Sequence, residues 1–143
     1  MTFSFGHSSQ ERIEIDVLGY ERAPVGEYFD DNWLRCVIRV CAGGFRGEFD
    51  AAILTGELVA FLDQLRPLFA TLRGSAELTT LEEQLHLLLI GDGKGHIDLD
   101  GNVVDAPGSD NRLHFRLQFD QTELGASICE FEKVAKAFPI RMA

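Results

Sequence analysis

Three histidines set the first chemical question. His96 shares a strand parity with Asp98 and Asp100, opposite Ile97 and Leu99, and His114 lies opposite Leu113 and Phe115. His86 interrupts an otherwise apolar run and joins them on the solvent face if these strands are neighbours. Three imidazoles beside a carboxylate suit zinc ligation or general acid–base chemistry. No His-x-His or His-x-x-x-His spacing supports that reading, and isolated histidines on the polar side of amphipathic strands need no catalytic explanation.

Two further motifs fail on inspection. Gly91-x-Gly93-x-Gly95 superficially matches a phosphate loop. Such a loop needs Gly-Lys-Ser/Thr opening a helix, so that the helix N-terminus meets the phosphates. Here Lys94 is followed by Gly95, His96 and a strand pattern, and Asp92 has the wrong charge, so a hairpin connection is expected. Asp98-x-Asp100-x-Asn102 opens like a calcium loop, but Val103 and Ser109 stand where that loop requires Gly and Glu. Asp100-Gly101-Asn102 therefore reads as a second turn. No Gly-x-Ser-x-Gly elbow is present, and the carboxylate pairs Glu82-Glu83 and Glu130-x-Glu132 read as solvated surface. The residues assign no catalytic, cofactor or metal ligand set, which leaves binding as the default.

The elements that would carry these residues follow from periodicity. Leu58, Phe61, Leu62, Leu65, Leu68, Phe69 and Leu72 form one helical stripe, with Thr55 as expected N-cap and Pro67 as an expected kink or break. Leu124, Ile128, Phe131, Ala135 and Phe138 form a second, with Asp120-Gln121-Thr122-Glu123 at capping-box spacing and Pro139 at its end. Strand alternation marks residues 12–20, 34–40, 45–51, 97–99 and 112–119, and residues 84–90, apolar on both parities apart from His86, read as a central strand. Phe45-Arg46-x-x-Phe49-Asp50 recurs 70 residues later as Phe115-Arg116-x-x-Phe119-Asp120. The expected fold is α+β, a single domain over residues 1–143. It has an antiparallel sheet of about six to seven strands with two amphipathic helices on one face. The echo raises a strand-strand-strand-helix unit used twice.

Composition narrows the function classes. The 143 residues carry 13 Lys+Arg against 23 Asp+Glu, a formal charge of −10, with 45% hydrophobic and 25% charged residues. Those fractions belong to a folded globule and exclude a disordered acidic tail. The acidity argues against nucleic acid and anionic membranes as partners, and makes any charged protein partner a basic one. The start lacks the basic and long apolar regions of a signal peptide, and the aliphatic run Leu87-Leu88-Leu89-Ile90 is far shorter than the ~20 residues of a membrane helix. Cys36, Cys41 and Cys129 have no metal spacing. Cys36 and Cys41 would face opposite ways on one strand, with Cys36 among core residues. A reduced, cytoplasmic protein is the reading.

Asp31-Asn32-Trp33-Leu34, Gly43-Gly44-Phe45-x-Gly47, Leu58-x-x-Phe61-x-x-x-Leu65, Gly74-x-Ala76 and Leu85-x-Leu87 follow one another in order. Gly91-Asp92-Gly93-x-Gly95-His96-Ile97, Asn111-Arg112-Leu113-x-Phe115 and Phe119-Asp120-Gln121-Thr122-x-Leu124 continue the series. Together they resemble the WapI-type immunity protein family, from about residue 13 to Pro139. The resemblance implies a small cytoplasmic bacterial protein, without catalytic residues or cofactor. Such a protein neutralises the C-terminal toxin domain of a wall-associated, contact-dependent polymorphic toxin, often a nuclease. An acidic inhibitor can occupy the basic surface that a nuclease needs.

Charge alone places the expected contact residues. Asp30, Asp31, Asp92, Asp105 and Asp110 fall in loops, with Asp98 and Asp100 on a solvent-facing strand, so acidity is expected as a rim. Arg35, Arg39, Arg46, Arg112 and Arg116 dilute it on the open sheet face. Trp33, at a strand start, reads as a core or sheet-edge residue. Two alternatives stay open: an enzyme built on His86, His96 and His114, and an oligomerisation module pairing through an exposed sheet edge.

Overall fold

The alternating segments pair as their parities require, but into two sheets rather than one. The computed structural model describes residues 1–142. In it β1 (Thr2–Phe5), β2 (Glu11–Tyr20), β3 (Trp33–Ala42) and β4 (Phe45–Leu54) form an antiparallel sheet in sequence order. β5 (Arg73–Thr79), β6 (Leu85–Asp92), β7 (His96–Val104) and β8 (Arg112–Asp120) form a second. A short α1 (Tyr28–Asp31) lies between β2 and β3, α2 (Thr55–Thr71) follows β4, and α3 (Gln121–Ala137) follows β8. The α+β class stands, and the single sheet of six or seven strands with two helices is corrected to two four-stranded sheets and three helices. The unit that occurs twice is four strands and a helix, not three strands and a helix.

The sequence echo does not mark equivalent positions in the two units. Asp120 is the N-cap of α3, whereas Asp50 lies within β4, ahead of Thr55. Phe115 is buried but Phe45 is 68% exposed.

The inner faces of both sheets share one core. Phe5 of β1 lies 6.3 Å from Phe119 of β8, Phe3 stacks on Phe131 of α3 at 4.0 Å, and Phe61 of α2 approaches both Phe5 and Phe131. Each such ring contributes about 1.5–3 kcal/mol by leaving water. Cys36 is in this core, on the opposite face of β3 from Cys41, as parity requires. Trp33 is half-buried at the start of β3.

The helices do not lie over one sheet face; each runs along a sheet edge. The outer peptide groups of β1 meet α3, where Ser127 Oγ donates to Ser4 O at 2.5 Å and Ser4 N donates to Glu130 Oε1 at 3.3 Å. The outer edge of β5 meets Gln64 of α2. An uncovered edge strand is a template for foreign strands, and these side chains occupy two of the four edges. β4 and β8 remain as the outer strands of their sheets.

Local chemistry explains the remaining departures. Thr55 is buried and hydrogen-bonds Asn32, while the N-cap position of α2 is Leu54, whose N–H reaches Glu57 Oε1 at 2.9 Å. Pro67 sits within an unbroken α2 on its exposed side, and Phe69 is 43% exposed rather than core. Asp120 caps α3 as expected, accepting from Glu123 N at 2.9 Å. The β6–β7 hairpin turns through Gly93 and Gly95, both at positive φ. Asp100-Gly101-Asn102 is not a turn: it lies inside β7, with Gly101 opposite Phe115. A Cβ on Gly101 would fall 2.3 Å from Phe115 Cζ, so glycine here makes room for the ring.

Candidate protein-binding surfaces

The sheet register separates the three histidines. His86 and His114 both pair with Asn102, placing them two strands apart, about 10 Å. His96 stands at the far end of β7, opposite Asp120. Each imidazole has its own carboxylate: Glu77 at 2.7 Å from His86, Asp100 at 2.9 Å from His114, and Asp92 at 3.6 Å from His96. Among the described residues no three His, Cys, Asp or Glu side chains are grouped to hold a metal ion. The shared site imagined for His86, His96 and His114 does not assemble.

The seven aspartates fall at three separate stations. Asp92 and Asp98 border a hollow at the β6–β7 hairpin end together with His96, Gln118 and Asp120. Asp92 accepts the N–H groups of Lys94 and His96, and the bond from Lys94 foremost holds its carboxyl below the ordinary range. Asp98 is exposed, whereas Asp100 is half-buried and engaged by His114 and by Arg116 Nε at 3.4 Å. Asp120 is the carboxylate that charge counting passed over here, because its capping role concealed its exposure.

Asp105 and Asp110 lie beyond the other end of β7, about 20 Å away at strand rise. They border a cleft of ≈ 400 Å³ between β4 and β8, whose apolar walls are Phe45, Phe49 and Leu113. Hydrogen bonds from Ser109 and Asn111 keep the Asp105 carboxyl below its usual range. Arg46 and Arg112 line the same cleft, so its charge is mixed. On the outer face of the first sheet Arg39 binds Glu14, Asp16 and Glu48, at 3.0, 3.3 and 2.7 Å, which offsets part of the acidity there.

The third station is the connection between β2 and β3, and here the expectation for Asp31 is corrected. Asp30 is exposed, but Asp31 is only 3% exposed. Its two oxygens accept Val25 N at 2.8 Å and Gly26 N at 2.9 Å, so it staples the loop to itself. The neighbouring Asn32 is fully buried. Its Nδ2 donates to Tyr28 O and Arg141 O at 2.7 and 2.9 Å, and its Oδ1 accepts from Thr55 Oγ1 and Arg141 N at 2.7 and 2.8 Å.

That buried frame displays apolar side chains outward. Val25 is 66% and Phe29 62% exposed, and the Tyr28 and Phe29 rings meet edge-on at 5.6 Å. Glu27 and Asp30 stand exposed beside them. The sequence signal for this feature is an aromatic pair inside a turn-rich, acidic connection, where apolar periodicity offers nothing to detect.

Residues 4–139, nearly the whole chain, match the model of the immunity protein WapI-like family. Among solved structures, a chain of the "CdiA-CT/CdiI toxin and immunity complex from Enterobacter cloacae" is 9% identical with a TM-score of 0.47. The match covers 90% of this chain and 99% of that one, a likeness too distant to carry an argument. No curated protein matches the chain.

Proposed function

Since the chain belongs to the immunity protein WapI-like family, we propose that it is a cytoplasmic antitoxin that binds a toxin domain and neutralises it without catalysis. The family match over residues 4–139 is the observation that carries this reading. Charge supports the kind of partner: at −10 the protein steers toward a basic surface, and a toxin that cleaves nucleic acid must keep such a surface for its substrate. Asp30, Asp92, Asp98, Asp105 and Asp110 are the expected acidic contacts, with Asp100 already shared between His114 and Arg116. Asp31 acts indirectly, by holding its loop.

The test uses the full chain and candidate toxin C-terminal domains from the same strain. Co-expression should restore growth, and the purified pair should associate at a rate that falls with added salt. Failure to bind at micromolar concentration, together with failure to protect cells, would overturn the proposal. Reversing Asp98 alone to Lys should slow association without changing the melting temperature, because Asp98 is exposed. An unchanged rate would remove the hairpin end from the interface.

A further inference from the structure

We infer that the connection spanning residues 21–32 is the docking element of this immunity protein, with Phe29, braced by the Tyr28 ring, entering an apolar pocket on the toxin domain and Glu27 and Asp30 pairing with basic groups at its rim. This rests on the toxin-binding reading above and names its contact surface.

The connection is longer than the chain reversal requires. β3 and β4 are joined through Gly43-Gly44 alone, whereas β2 and β3 are joined by twelve residues, 21–32. The added length leaves its large apolar side chains in water: Phe29 is 62% exposed and Val25 66%. Aromatic side chains clustered on an exposed surface are the usual material of binding hot spots.

The loop is also held in one shape. The buried carboxylate of Asp31 fixes Val25 and Gly26, and Asn32 uses both its donors and its acceptor to join Tyr28, Thr55 and Arg141. Tyr28 further rests its hydroxyl against Gly56 at the start of α2. Buried, satisfied polar groups that support an exposed aromatic pair lower the ordering cost of binding, because the contact surface is formed before the partner arrives.

Charge selects the occupant. The exposed charges of the connection are Glu21, Glu27 and Asp30 against Arg22, with Arg141 bonded to the Arg22 carbonyl at its side, while Asp31 is buried and engaged by Val25 and Gly26. The cleft between β4 and β8, a second exposed apolar feature, has both signs on its walls and no comparable bias. An apolar anchor in an acidic setting matches an apolar pocket rimmed by Lys or Arg, the surface expected of a toxin that handles nucleic acid.

The experiment measures binding of a purified toxin C-terminal domain from the same strain, chosen as one against which the full-length protein protects cells, to the full-length protein and to two variants. Phe29→Ala should weaken the affinity about 30-fold, chiefly through faster dissociation, with an unchanged melting temperature. Glu27→Lys with Asp30→Lys should slow association and flatten its salt dependence. If the native protein binds while Phe29→Ala binds equally well and the double variant associates as fast, the docking assignment is overturned and the immunity role stands. If the native protein itself does not bind, the toxin-binding reading fails, and the docking assignment with it.

Discussion

Gln64 brackets the backbone of Glu77: its Oε1 accepts the Glu77 N–H at 2.9 Å and its Nε2 donates to the Glu77 carbonyl at 3.1 Å. One carboxamide on α2 thus takes the place of a neighbouring strand at the edge of β5. Replacing it with alanine should cost about 1–2 kcal/mol, the net worth of two exposed hydrogen bonds. Urea denaturation reads that loss, and amide exchange at Glu77 should quicken in the same variant. Unaltered exchange there would mean that α2 does not seal this edge.

Asn32 is the buried counterpart of that bracket, holding the backbone of Arg141 and the hydroxyl of Thr55. Asn32→Ala leaves several buried groups without partners and should destabilise the protein by about 3 kcal/mol. The segment after α3 should then detach from Tyr20, which Arg141 covers at 3.5 Å. Chemical denaturation measures the first effect, and proteolysis near Arg141 the second. Stability equal to the native protein would refute the frame.

Gly101 lies beneath Phe115 with no room for a methyl group. Gly101→Ala should therefore cost about 1–3 kcal/mol through overpacking. Adding Phe115→Leu should recover part of the loss, because it withdraws the ring atoms that collide. Melting temperatures of the single and double variants decide the matter, and simple additivity would count against steric conflict.

Burial pushes the Cys36 thiol up to about 12 from 9.0. The folded state therefore disfavours the thiolate. The contribution of this group to stability is complete below the unfolded value near 9 and is lost as pH rises toward 12. Alkylation at pH 8 should modify exposed Cys129 first and leave Cys36 untouched until the chain unfolds. Mass spectrometry of the labelled peptides follows this order, and early labelling of Cys36 would contradict its burial.

The sequence made β2, β3, β4, β7 and β8 legible by apolar alternation at period two, and β6 by an apolar run broken only by His86. β1 and β5, the two strands it did not reveal, are those whose outer edges face a helix. β1 has only four residues, and β5 presents only Ala76 and Leu78 to the core. Their stability comes from partners distant in sequence, Ser127 and Glu130 for one and Gln64 for the other. The division into two sheets was hidden for the same reason, since alternation reports a buried face without saying what buries it.

The acidic surface was legible in amount and not in arrangement. Asp31 looked like its neighbour Asp30 until the Val25 and Gly26 N–H groups claimed it. Asp98 and Asp105 are close in sequence, yet an extended strand carries them to opposite ends of a sheet.

The two helices are exchanged: the one attached to the first sheet seals the second, and the one attached to the second seals the first. Neither half of the chain can close on its own, because each would leave an open edge and surrender Phe61 or Phe131 from the common interior. The molecule therefore behaves as a clasp with two interlocked jaws. Any partner that binds only the folded clasp thus stabilises both jaws together against unfolding.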